Sequence, residues 1–166
     1  MRAISLWQPW ASAVALGSKT IETRHWSTDY RGPIAIHAAK RLREGELIYY
    51  HSCWNWQGAL RELGTRFGEF TLDKKLPFGA IVAVAYLIDC KPTEDFTLGE
   101  INAPRRPKGE TSDLYNWTEA QMGNFDLGRF GWVLRNVKPL SEPIPFRGQQ
   151  GFFQVPDDLL KTVIPR

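Results

Sequence analysis

Ser5-Leu6-Trp7-Gln8-Pro9-Trp10-Ala11-Ser12-Ala13-Val14-Ala15-Leu16-Gly17-Ser18-Lys19-Thr20-Ile21-Glu22-Thr23-Arg24 reads as a strand end, a short apolar helix, a glycine turn and a second strand bearing mixed charge. Pro9 suits the first helical position, where its missing N–H would have no partner in any case. Gly17 suits the left-handed residue that ends a helix. The turn then delivers Lys19, Glu22 and Arg24 in quick succession. Side chains alternate faces along a strand, so Glu22 and Arg24 share a face and Thr23 points away. In a regular strand Lys19 falls on the face opposite Glu22. It joins the pair only if it lies in the turn after Gly17, where alternation has not begun. Glu22 then stands between two cations, an arrangement suited to an anionic or amide-bearing ligand. The competing reading is an ion-pair network that only fixes the helix–strand corner.

Working outward, Arg43–Leu63 is expected to be a helix, with Trp56, Ala59, Leu60 and Leu63 forming its apolar stripe and Gly64 ending it. Ala80–Ile88 is a continuous apolar run between Gly79 and Asp89, which predicts a central strand buried on both faces. Phe130–Val137 is another strand. Ile144–Phe146 and Phe152–Val155 are expected to pair around a Gly148–Gly151 turn. A short helix is expected to start near Ser112 or Thr118, and Asp157-Asp158-Leu159-Leu160 resembles a final capped turn. Five or six short strands with two helices suit a β-rich α+β protein and a small mixed barrel.

The 166 residues show no repeat or linker, so one domain over 1–166 is expected. Hydrophobic content of 43% and charged content of 23% argue against disorder. The net charge of +3 says little about nucleic acid, but its distribution says more. Residues 1–43 carry Arg2, Lys19, Arg24, Arg31, Lys40, Arg41 and Arg43 against Glu22 and Asp29. Such a basic segment favours phosphate or nucleotide partners if those side chains share a face. Cys53 and Cys90 have no C-x-x-C spacing and read as buried thiols. The longest apolar run, Ala80 to Ile88, falls far short of the ~20 residues of a membrane helix. With no signal peptide at its start, the chain is expected to be cytoplasmic. His25, His37 and His51 lack metal-ligand spacing, so no metal is expected, and His37 reads as a hydrogen-bonded core residue. Nothing resembles a phosphate-binding glycine loop or a serine-hydrolase elbow, and no cofactor is expected.

Trp7, Trp10 and Trp26 flank the charged strand, and bases stack on aromatic faces for ~1–3 kcal/mol each. Trp54, Trp56 and Trp132 sit on core periodicity and are assigned to the interior. Trp7 and Trp10 lie on opposite sides of Pro9, so only one is expected to face a cleft. Trp26 is the best stacking candidate. The predicted binding residues are Gln8, Trp10, Arg24 and Trp26, with Arg147 in the loop Arg147-Gly148-Gln149-Gln150-Gly151 reaching for backbone phosphates.

The G-x-K-x-x-E-x-R signature, Trp7-Gln8-Pro9-Trp10 before it and Arg31-Gly32-Pro33-Ile34-Ala35-Ile36-His37-Ala38 after it resemble an ASCH domain (activating-signal-cointegrator homology). Trp132-Val133-Leu134-Arg135-Asn136-Val137 and Pro145-Phe146-Arg147-Gly148-Gln149-Gln150-Gly151 resemble the family's closing strands. These blocks run from about residue 3 to about residue 155. The resemblance implies a PUA-like β-barrel with flanking helices and a cleft at one side. Small bacterial members with this motif are amidohydrolases that remove the acetyl group of N4-acetylcytidine, and Lys19 aligns with their catalytic lysine. Glu22 stands where those enzymes carry a catalytic threonine. Their further glutamate would be Glu94, Glu110 or Glu119. Another branch is a ribonuclease that uses the same lysine.

The leading reading is a module that binds RNA or a modified nucleoside in a cleft around the motif. The second is a hydrolase, either an amidohydrolase on an N4-acylated cytidine or a ribonuclease. There Lys19 transfers protons and Glu22 positions the lysine or a water. The third is a protein-interaction adaptor working through the basic loop Arg105–Lys108. Burial of Lys19 bears on the first two, because only a desolvated lysine titrates near neutrality.

Overall fold

Ile34-Ala35-Ile36 and Ala80 to Ala85 have no solvent-facing side, which puts them in the middle of a sheet covered on both faces. The computed structural model describes residues 1–41, 76–103 and 118–160. The expected helix Arg43–Leu63 with Cys53, Trp54 and Trp56, the loop Arg105–Lys108, Glu110 and Ser112 lie outside the described residues. The strands are β1 (Arg2–Leu6), β2 (Ile21–Arg24), β3 (Gly32–Ala38), β4 (Ala80–Pro92), β5 (Phe130–Pro145) and β6 (Phe152–Gln154). Among the described residues the short α-helices are α1 (Trp10–Ala15), α2 (Leu98–Asn102) and α3 (Glu119–Met122).

The six strands form one sheet in the order β2-β5-β4-β3-β1-β6. Among the described residues only β1 and β3 pair in parallel; the other neighbours are antiparallel. Although β2 and β6 are the two ends of this order, Phe152 of β6 lies 5.2 Å from the Trp132 ring of β5 and 5.4 Å from Trp26, just past β2. The sheet therefore curls into a half-barrel and brings its ends together. Register shifts at Ile36/His37, and at three places between β4 and β5, supply local bends of the kind that tighten twist. Alternation along β1 and β3 feeds two cores. Ile4, Leu6, Ile34 and Ile36 pack with Val14, Leu87, Trp132 and Leu134 on one side. Ala3 and Ala35 pack with Ile81, Val84, Leu140 and Phe153 on the other. This is the α+β, curled-barrel architecture expected from the sequence.

The helix at Pro9 begins one residue later than placed, at Trp10, with Pro9 as its cap. Gly17 ends it with φ +77°, and its N–H reaches the Val14 carbonyl at 2.8 Å. Ala80–Ile88 is the start of the longer β4, and only its first part is buried on both faces, since Tyr86 and Ile88 are exposed. The closing strands differ more. β5 runs unbroken to Pro145, with Ile144 opposite Ile81 of β4. β6 pairs with β1, not with Ile144–Phe146. β4 is long enough to cover β5 as far as Pro145, which leaves the open edge of β1 for β6 to satisfy. The segment α2 also escaped the sequence reading, although Thr97 and Glu100 form a reciprocal cap there. Thr118 and Gln121 make the same device at α3.

Candidate functional site

Lys19 precedes β2 and so escapes strand alternation. Its Nζ lies 3.8 Å from Glu22 Oε2 and donates to the Ile21 carbonyl at 2.5 Å. The Trp10 ring centroid is 6.0 Å away. On the strand, Glu22 Oε1 is 3.1 Å from Arg24 Nε, as their shared face requires. Arg24 Nη2 in turn donates to the Ser5 carbonyl at 2.6 Å. Glu22 thus stands between two cations. Lys19 is only 1% exposed, and an ammonium so far from water needs this carboxylate and carbonyl beside it.

Where the ends of the sheet meet, an open cleft of about 1580 Å³ is lined by Glu22, Arg24, Trp7, Trp10 and Trp26. Both tryptophans around Pro9 face it, where the sequence suggested one. The reason is that Trp10 opens α1 while Trp7 lies outside any helix or strand, so no shared periodicity separates them. Trp26 packs edge-on against Trp132, centroids 4.5 Å apart, which fixes its ring at the wall. Lys19 does not line the cleft; it stands behind Glu22.

The facing wall is the segment between α3 and β5. Thr23 Oγ1 accepts from the Asn124 N–H at 3.0 Å, and Thr93 Oγ1 donates to the Asp126 carbonyl at 2.7 Å, which pin that segment at two points. Arg129, from the same wall, donates through Nη2 to the Thr23 carbonyl at 3.3 Å. Its Nε is buried with no hydrogen-bond partner, and it forms no ion pair among the described residues. The tip residues Gln149 and Gln150 complete the rim.

Two predicted binding residues stand elsewhere. Gln8 is fully buried: its Nε2 donates to the Pro77 carbonyl at 2.7 Å and its Oε1 accepts from the Ser12 N–H at 3.2 Å. Its amide therefore ties the start of α1 to the approach of β4. Arg147 is exposed and does not line the cleft; its neighbours Gln149 and Gln150 do. Of the candidate glutamates, Glu94 is exposed on a single turn of 3-10 helix (Thr93–Asp95). Glu119 is fully buried beside the motif. Its carboxylate accepts from Thr20 N–H and Oγ1 at 2.6 and 2.7 Å and from Ile21 N–H at 3.2 Å, bracing the start of β2. Arg129 went unnoticed in the sequence because a lone arginine after Gly128 has no motif.

His37 lies just beneath the cleft. Its Nε2 is 3.0 Å from the Phe146 carbonyl, which can only accept, so that nitrogen carries the proton in the neutral ring. Nδ1 then accepts from Ser5 Oγ at 3.0 Å. Burial pushes the His37 pKa below its ordinary 6.5, only partly offset by the Phe146 bond.

No group of three or more His, Cys, Asp or Glu suited to a metal occurs among the described residues, and no helix among them is long and apolar enough to cross a membrane. The family model described as ASCH domain matches residues 4–138. Among solved structures, the chain is similar to ASCH from Zymomonas mobilis, at 16% identity and a TM-score of 0.49, covering 95% of this chain and 88% of that one. A tyrosine-to-phenylalanine mutant of the Zymomonas mobilis protein gives the same identity and score, covering 98% and 96%. No curated protein matches.

Proposed function

The chain belongs to the ASCH domain family, whose PUA-like fold is often associated with RNA binding, and from that premise we propose that residues 1–166 form one ASCH domain that binds RNA or a modified nucleoside in the cleft beside Glu22. One observation carries this reading: three tryptophans and two arginines line a single open cleft. Aromatic faces take bases with little regard to sequence, and guanidinium groups take phosphates or base edges. Glu22, already held by Lys19 and Arg24, offers a fixed acceptor to an exocyclic amino group. Such a partner suits a cytoplasmic location.

A hydrolase is the second reading, supported by the burial of Lys19 against Glu22. Glu22 would position an attacking water and Lys19 would transfer the proton. Because Lys19 stands behind Glu22, that proton would pass by way of the carboxylate, and this places binding first.

Lys19→Arg tests the two readings together, in binding of a short single-stranded RNA and in cleavage of N4-acetylcytidine. Arginine keeps the positive charge but does not give up its proton at working pH. Retained RNA affinity without any turnover by the wild type supports binding. Wild-type turnover lost in Lys19→Arg supports the hydrolase. Neither RNA binding nor turnover in the wild type overturns both.

A further inference from the structure

The charged side chains that line the cleft balance in number, Glu22 and Asp126 against Arg24 and Arg129, but they do not all pair. Glu22 is shared between Lys19 and Arg24, and Arg24 also holds the Ser5 carbonyl. Arg129 has the Thr23 carbonyl as its hydrogen-bond acceptor and no carboxylate. A carbonyl satisfies one N–H of a guanidinium that has five. The Nε of Arg129 is shut away from water with nothing to receive its hydrogen. That atom lies beyond a ligand's reach, as does Nε of Arg24. Arg24, however, has the Glu22 carboxylate beside it, and Arg129 has none among the described residues. The N–H groups of Arg129 that Thr23 does not occupy are therefore left for an anion in the cleft.

Position supports the same conclusion. Arg24 pairs with Phe130 across β2 and β5, and Arg129, the residue before Phe130, reaches back to the Thr23 carbonyl. Arg24, His25 and Arg129 all line the cleft and gather at one end of these strands. Asp126 lines it as well but forms no ion pair among the described residues.

We infer that Arg129 is the phosphate-binding residue of the cleft, and that its ligand is a phosphorylated nucleotide unit, free or within RNA, not a bare nucleoside. This rests on the binding reading above and narrows its ligand class. The phosphate would sit on the open N–H groups of Arg129, within reach of the field of Arg24, while the base stacks on the tryptophan wall.

The test measures binding of the four nucleosides, their 3′- and 5′-monophosphates and a mixed-sequence RNA dodecamer to wild type and Arg129→Gln. At least one monophosphate should bind wild type about tenfold tighter than its nucleoside, a gain equivalent to one charge-assisted hydrogen bond. Arg129→Gln should erase that gain. If RNA alone binds, Arg129→Gln should weaken it and make the salt slope shallower by about 0.7, the share of one single-strand phosphate. The wild type decides the matter even if the variant fails to fold: nucleotide binding should weaken with added salt and nucleoside binding should not. Equal affinity for nucleoside and nucleotide overturns the inference and leaves the binding reading standing. RNA binding whose affinity and salt slope are unchanged in a folded Arg129→Gln does the same. Failure of every nucleoside, nucleotide and RNA to bind overturns the binding reading itself.

Discussion

Arg24 Nη2 donates to the Ser5 carbonyl at 2.6 Å, so one guanidinium ties the end of β2 to β1 across the mouth of the half-barrel. The same side chain forms an ion pair with Glu22, Nε to Oε1 at 3.1 Å, without hydrogen-bond alignment. Arg24→Ala should lower stability by about 1.5–3 kcal/mol in urea unfolding, the range for hydrogen bonds to charged groups. Arg24→Lys should recover only part of it, because an ammonium has no fork to span two partners. A full rescue by lysine would show that charge alone matters there.

Gly148 is needed for close approach. A Cβ at this position would stand 2.3 Å from His37 Cε1 and 2.6 Å from Ser5 Oγ. Neither group moves cheaply, since each is hydrogen-bonded to the other and His37 also to Phe146. Gly148→Ala should therefore cost about 1–3 kcal/mol, as overpacking of a filled interior does. It should also displace the loop that carries Gln149 and Gln150 into the cleft. Thermal unfolding and ligand titration of the variant would both have to be unchanged for this account to fail.

His37 gives the fold a pH dependence of definite sign. Its folded-state pKa lies below the 6.5 of an exposed imidazole because burial disfavours the charged ring. Between those two values the unfolded chain binds the proton and the folded chain does not. Stability is therefore unaffected by this group above 6.5 and is lost progressively as pH falls from 6.5 toward the lowered value. His37→Gln keeps a donor for Phe146 and an acceptor for Ser5 without the titration. Urea midpoints between about pH 7.5 and 5 should fall less steeply in His37→Gln than in the wild type. Parallel slopes would remove His37 from the account.

Much of this was legible because the signals were local. Gly17 and the offset of Lys19 from strand alternation belong to a few consecutive residues, and the geometry of Lys19, Glu22 and Arg24 follows from them. Ala80 to Ala85 announced a central strand by apolar continuity alone. What escaped depended on pairing over distance. Phe152 could have closed a hairpin with Ile144–Phe146 as its sequence neighbour; the free edge of β1 took it because β4 already held β5 as far as Pro145. Gln8 looks available in the sequence and is consumed by Pro77, sixty-nine residues away. Arg129 enters the cleft only because β5 lies against β2 and the sheet curls, facts that no spacing encodes.

Trp7 separates recognition from folding. It is 37% exposed and lines the cleft, whereas Trp132 is fully buried in the core and donates through Nε1 to the Trp26 carbonyl at 3.2 Å. Trp7→Ala should cost less unfolding free energy than Trp132→Ala, because part of its ring is already solvated. It should weaken nucleotide or RNA binding by about 1–3 kcal/mol, roughly 5- to 150-fold, the value of one base–aromatic stack. Trp132→Ala should reverse the balance, costing about 3–5 kcal/mol of stability through the cavity it opens. Trp26→Ala should affect both, since its ring lines the cleft and also packs on Trp132 and Phe152. Titrations of RNA paired with urea unfolding for the three variants would show this ordering. A Trp7→Ala protein that binds as the wild type does would take the aromatic wall out of recognition and leave the arginines to carry it.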